Sequence, residues 1–146
     1  MIELTLRVLV ADDHPVNRLI LSELFTQLGC QVWAVADGGD ALKVAQNQVF
    51  DLICLDRHMP GLSGDEVAAR LRPDHHVLAW TTDLRALPSW FDGVLPKPVT
   101  LASIVAACQA AEKRARTAGR ARQSAEHLQP DRPRPGPSRL AGARSV

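Results

Sequence analysis

Val8-Leu9-Val10-Ala11-Asp12-Asp13-His14-Pro15 is the stretch that decides the architecture. Four apolar residues run without a polar interruption, as expected of a strand buried on both faces of a parallel sheet. Two adjacent carboxylates close the run, and Pro15 suits the first turn of a helix. The pattern returns twice. Leu52-Ile53-Cys54-Leu55 is closed by Asp56, and Val94-Leu95 is followed by Pro96-Lys97-Pro98. In an open α/β sheet the ligand crevice lies beyond the carboxyl ends of the strands. The acidic residues and Lys97 therefore fall where such a sheet places its chemistry.

The intervening segments read as helices. Between Val16 and Gly29 apolar residues at 16, 19, 20, 24 and 28 recur at helical spacing, and Gly29 marks the stop. Gln31–Ala36 reads as a strand and Asp37-Gly38-Gly39 as a turn, with Asp40 a candidate N-cap for a helix over 41–48. Ser63 is expected to cap a helix bearing Val67, Ala68 and Leu71, with Asp65 and Glu66 in its first turn. Val77–Trp80 is the fourth strand and Gly93–Leu95 the fifth. Thr100 is expected to cap a last helix with Leu101, Ile104, Val105 and Cys108 as its apolar positions. This alternation predicts a flavodoxin-like (βα)5 doubly wound parallel sheet, strand order 2-1-3-4-5. Residues 83–92 contain Pro88 and no helical repeat, so the fourth helix is expected to be truncated or absent.

The chain of 146 residues divides by charge. Residues 1–111 hold 8 Lys/Arg against 13 Asp/Glu, a net −5; residues 112–146 hold 9 against 3, a net +6. We expect one domain over 1–115 and a basic, Pro/Arg-rich, disordered tail over 116–146, in which Arg116–Gln129 could prolong the last helix. Such a tail is too short to form a further domain. It has no aromatic residue and no amphipathic face, so nucleic acid is not expected as a partner. No apolar run is long enough to span a bilayer, and the start of the chain lacks a signal-peptide pattern, which gives an expectation of cytoplasmic location with no membrane contact. Cys30, Cys54 and Cys108 are odd in number and lack CxxC spacing; they read as reduced, mostly buried thiols. His14, His58, His75 and His76 match no ligand spacing and read as surface residues. Trp80 and Trp90 flank the shortened region and are expected to pack over the missing helix.

At a strand end, where the chain turns, Asp12 and Asp13 can converge on one ion, and Asp56 adds a third carboxylate from the next strand. Mg²⁺ takes one or two carboxylates, phosphate oxygens and water in octahedral geometry. Three clustered carboxylates call for a cation or a proton. Lys97 brings a positive charge and Thr81 a hydroxyl. Such a set can stabilise a transferring phosphoryl group and hold it as an aspartyl phosphate.

These segments, with Asp56-Arg57-His58-Met59-Pro60-Gly61, Ala79-Trp80-Thr81-Thr82 and Leu95-Pro96-Lys97-Pro98, resemble the response-regulator receiver domain of bacterial two-component signalling, over residues 7 to about 111. Val16-Asn17-Arg18 is similar to receivers of hybrid histidine kinases. The resemblance implies that Asp56 is the phosphoacceptor, with a histidine kinase or phosphotransfer protein as donor. It implies Mg²⁺ held by Asp13 directly, by Asp12 mainly through water, by Asp56, and by the carbonyl of His58. Lys97, preceding a cis bond to Pro98, would pair with the phosphate. Thr81 would be the switch hydroxyl, and the amide of Thr82 would bind a phosphate oxygen. The output protein is not indicated, and the resemblance leaves room for a homodimer.

The chain departs from the family pattern at several points. Val94 stands where receivers carry Tyr or Phe, Thr82 replaces a small residue, and only 15 residues separate Thr81 from Lys97. The expectation is a phosphoacceptor, not a turnover enzyme, that signals by protein contact or serves as a phosphate sink. The alternative is a pseudo-receiver adaptor that binds its partner whether or not it is phosphorylated. A haloacid-dehalogenase-type hydrolase needs a second Asp two residues beyond its nucleophile, and that position is His58.

Overall fold

The computed structural model describes residues 5–71 and 73–128, with side chains described through Thr117. Five strands form one parallel sheet in the order β2-β1-β3-β4-β5. They are β1 (Arg7–Ala11), β2 (Gln31–Val35), β3 (Leu52–Leu55), β4 (Val77–Thr81) and β5 (Gly93–Pro96). Helices α1 (Pro15–Gln27), α2 (Gly38–Asn47), α3 (Gly64–Leu71) and α4 (Leu101–Leu128) complete the chain order. The expected order and class hold. Residues 82–92 form turns and bends in place of a helix between β4 and β5.

Alternate side chains of each strand feed two cores. Leu9, Ile53, Leu55, Val77 and Ala79 pack with Ala41 and Ala45 of α2 and Val67, Ala68 and Leu71 of α3. Val8, Val10, Leu52, Cys54 and Leu95 pack on the other side with Leu21 and Phe25 of α1 and Ile104, Ala107 and Ala111 of α4. Burial on both sides explains why these strands show no polar alternation.

Two helices present faces other than those the spacing suggested. In α1, Leu21 and Phe25 are buried, whereas Val16, Leu19 and Ile20 are exposed. Arg18 donates to the Asp12 carbonyl (2.8 Å), and the Asn17 amide donates to the Asp12 carboxylate (3.4 Å). These bonds rotate the helix so that its 17/18 edge faces the end of β1. In α4 the buried positions are Ile104, Ala107, Ala111 and Ala115, and Leu101 is exposed. Small side chains carry little hydropathic signal, so an alanine stripe does not stand out in the sequence. The helix continues through Leu128, the extension the sequence left open beyond Ala115. The rest of the expected tail, 129–146, lies outside the described residues.

Helix ends follow side-chain chemistry. Asp37, not Asp40, caps α2: its carboxylate accepts from the Asp40 amide at 2.7 Å. Ser63 and Glu66 form a reciprocal capping box at α3, with bonds of 2.9 and 3.1 Å. Thr100 and Ser103 exchange amide-to-hydroxyl bonds at the start of α4. Gly29 (φ +89°) closes α1 in a Schellman turn, its amide bonding the Thr26 carbonyl while that of Cys30 bonds the Phe25 carbonyl. Gly64 opens α3 against the backbone of Asp56, where a β-carbon would collide with the Asp56 carbonyl oxygen.

That approach predicts opposite outcomes at two helical glycines. Gly64→Ala lowers stability by about 1–3 kcal/mol through overpacking at a backbone contact. Gly39→Ala, where a β-carbon meets only the Asp37 carboxylate at an ordinary 3.5 Å, raises stability by about 0.5–1 kcal/mol through helix propensity. Urea unfolding of the two variants checks both signs.

Candidate functional site

Parallel register brings the carboxyl ends of the strands into line. Ala11 of β1 lies opposite both Val35 and Leu55. The hydrogen-bond ladder runs one step beyond: Asp12 donates its amide to Val35 at 3.2 Å, and Asp56 donates to Ala11 at 2.9 Å. Asp12 and Asp56 thereby start their loops side by side. Carboxylate oxygens of Asp12, Asp13 and Asp56 all lie within 4.8 Å of one another.

Asp12 is fully buried. One of its carboxylate oxygens accepts from the His14 amide (2.8 Å); the other accepts from Asn17 Nδ2 and from Lys97 Nζ (3.1 Å). Lys97 reaches Asp56 at 3.6 Å from the loop after β5. The Lys97–Pro98 peptide is cis, as expected. The ammonium also lies 4.7 Å from the centre of the Trp80 ring, a cation–π geometry. Asp13 is exposed and opens the cluster to solvent. Asp56 is 8% exposed. Burial pushes its carboxyl above the ordinary 3.8, and Asp12 and Asp13 add to the rise; Lys97 and the His58 amide oppose it.

Of the other anticipated residues, Thr81 is buried at the end of β4, and its hydroxyl accepts from the Asp83 amide at 2.9 Å. Thr82 and His58 are exposed in the adjoining loops. The imidazole of His58 contacts the Asp83 carboxylate at 3.0 Å. The four charged residues are thus brought together, with Thr81, Thr82 and His58 on the same sheet edge.

Arg57, which no sequence pattern marks as functional, organises the neighbouring loop. It is buried and makes a two-pronged pair with Asp65, at 3.0 and 2.9 Å. It also donates to the carbonyls of Asp83, Arg85 and Ala86. One guanidinium therefore satisfies three carbonyls of a segment that forms no helix. The available signal was a cation next to Asp56 facing a stretch without helical repeat. Asp83 is held by Arg85 and His58, which keep its carboxyl well below the ordinary range.

Two expected placements change. Trp80 packs with α1 and α4, on the opposite side of the sheet from the helix-free segment; Trp90 does cover that segment's side, its indole donating to the Asp65 carbonyl at 3.0 Å. His76 is not a solvated loop residue: its side chain is 13% exposed and lies 3.7 Å from Asp92.

Two substitutions test these energetics. Arg57→Ala strands a carboxylate and three carbonyls and costs about 3 kcal/mol or more, read by chemical denaturation. Because the folded state raises the Asp56 carboxyl, that group weakens folding as pH rises through its folded value. Asp56→Asn therefore raises the metal-free melting temperature at pH 7, and the gain disappears as pH falls to the ordinary 3.8 and below; melting curves across pH check this.

The model of the response regulator receiver domain matches residues 8–109. The sensor histidine kinase RcsC of Salmonella typhimurium is 36% identical over 103 residues, covering 64% of this chain and 11% of that protein. The chain thus spans about a tenth of this curated relative's length. A full-length structure of ShkA in complex with AMPPNP aligns with TM-score 0.67 and 38% identity, over 72% of this chain and 24% of that one. The response regulator TrrA of Thermotoga maritima, in complex with Mg²⁺-BeF, aligns with TM-score 0.68 and 29% identity, over 73% and 99%. With the sheet order, the acidic strand ends and the cis Lys97–Pro98 bond already in place, the match over residues 8–109 leads to one conclusion: the chain belongs to the response-regulator receiver domain family.

Proposed function

We propose that this domain accepts a phosphoryl group on Asp56 from a phosphohistidine of a kinase or phosphotransfer protein, in a Mg²⁺-dependent reaction. The observation that carries the reading is the convergence of three carboxylates within 4.8 Å with Lys97 against two of them. The donor set fits a hard cation. It is all oxygen, it holds one more buried carboxylate than Lys97 can neutralise, and exposed Asp13 leaves a solvent approach. Asp12, Asp13 and Asp56, with the carbonyl of His58, would hold the ion. Bound Mg²⁺ supplies positive charge to the oxygens of the transferring group.

The residues of the chain divide the remaining work. A carboxylate oxygen of Asp56 attacks phosphorus; the bond from phosphorus to the donor imidazole breaks, and the imidazole leaves with its electron pair. Lys97 meets the negative charge that gathers on the phosphoryl oxygens. Thr81, accepting from the Asp83 amide, keeps its own O–H to donate to the phosphoryl group, and the Thr82 amide donates to another oxygen. The exposed Val16, Leu19 and Ile20 on α1, beginning two residues after Asp13-His14, offer an apolar surface beside the site for a helical donor protein.

A second reading is favoured by the helix-free segment that Arg57 clamps and by Val94: a phosphorylation-independent adaptor. The two readings separate on Asp56→Ala, which an adaptor tolerates without losing its partner.

Incubation with acetyl phosphate and Mg²⁺ is expected to add one phosphoryl group, seen by intact mass, and EDTA or Asp56→Ala to abolish the gain. Lys97→Ala is expected to slow it by about 10²-fold or more. Without a phosphodonor, Mg²⁺ at a hundredfold excess over its Kd stabilises the fold by about 2.7 kcal/mol. No mass gain together with no Mg²⁺ effect on melting would defeat the phosphoacceptor reading.

A further inference from the structure

Cys30 and Cys108 are 78 positions apart in the chain, and the fold sets their sulfurs 3.8 Å apart. Each is placed by its own element. Cys30 is the last residue of the Schellman turn that ends α1, its amide tied to the Phe25 carbonyl. Cys108 lies on α4 between the buried Ala107 and Ala111. Cys30 is 9% exposed at the margin of the core, and Cys108 is half-buried. Both line an open cleft of about 230 Å³ with Leu28, Gly29, Val105 and Gln109. Cys54, in contrast, is fully buried in β3. The cleft lies at the amino-terminal edge of the sheet, away from Asp56.

We propose that Cys30 and Cys108 are a reversible thiol–disulfide pair whose oxidant is a small hydroperoxide entering through this cleft. A disulfide needs sulfurs about 2.05 Å apart, so closure requires an approach of under about 2 Å along a contact already made. Cys30 is the attacking thiol. The two sulfurs are in hydrogen-bonding contact, which lowers the Cys30 pKa against the effect of burial and raises that of Cys108. The Cys30 sulfur attacks the outer peroxide oxygen and the O–O bond breaks. The alkoxide or hydroxide that leaves takes the Cys30 proton, and Cys30 becomes a sulfenic acid. The Cys108 sulfur then attacks the Cys30 sulfur and the S–O bond breaks. Hydroxide leaves and, with the Cys108 proton, forms water. Two thiols lose two electrons and two protons, and the peroxide is reduced to alcohol, or water, plus water. Exchange with a free thiol reverses the change. The bond would rivet α4 to the end of α1.

The test uses the full chain, reduced and freed of reductant, then titrated with hydrogen peroxide. Intact mass and non-reducing peptide mapping are expected to show loss of two hydrogens and a Cys30–Cys108 crosslink within one chain, reversed by dithiothreitol. Cys54 should alkylate only after unfolding. The oxidised protein should melt several degrees higher than the reduced protein. Cys30→Ser and Cys108→Ser should each remove the crosslink and the melting shift, and Cys54→Ser should retain both. The wild-type peptide map decides the matter even if a serine variant folds poorly. Oxygen added at Cys30 without a crosslink, a crosslink that involves Cys54 or joins two chains, or two thiols that persist under excess peroxide would each overturn the proposal.

Discussion

Crowding of like charge at one edge of the sheet is the constraint around which this domain is arranged. Three carboxylates meet where β1 and β3 end, two of them out of water, and one ammonium faces them. Burial and mutual repulsion raise the free energy of the ionised Asp56. The rest of the edge reads as a response to that cost. Amides of His14 and His58 point at the carboxylates, Asn17 adds a third donor, and Trp80 backs the lysine that reaches across. A site that is electrostatically uncomfortable when empty is one in which a cation has a large effect.

The sheet and the charged site were legible because both are written in strong local signals. Uninterrupted apolar runs closed by Asp12-Asp13, Asp56 and Pro96-Lys97 could be placed without tertiary information, and register then brought them together. Helix faces were less legible. The face of α1 is set by bonds from Asn17 and Arg18 to Asp12, and that of α4 by an alanine stripe. Neither appears in hydropathy. The role of Arg57 is not legible in the sequence because, besides Asp65, its partners are backbone carbonyls in a loop with no pattern of its own. The Cys30–Cys108 contact depends on how α4 packs beside the end of α1, so spacing along the chain carries no trace of it.

The segment between β4 and β5 shows how a repeat can lose a helix and keep its sheet. A helix there would satisfy its own carbonyls and cover the Val77/Ala79 side of β4. Here Leu87, Trp90 and Phe91 provide apolar cover, and Arg57 takes up the carbonyls of Asp83, Arg85 and Ala86. Asp65 holds the guanidinium in plane, which ties the start of α3 into the same arrangement.

This substitution changes the wiring length of the domain. A helix is a stiff body that a distant residue must push as a whole. The loop that replaces it is gripped by the residue covalently next to Asp56. Arg57, one residue from Asp56, holds the carbonyls of Asp83, Arg85 and Ala86 directly. The same loop carries Asp83, whose amide holds the Thr81 hydroxyl and whose carboxylate meets His58. The segment is therefore fastened to the acidic edge twice, through Arg57 and through Asp83.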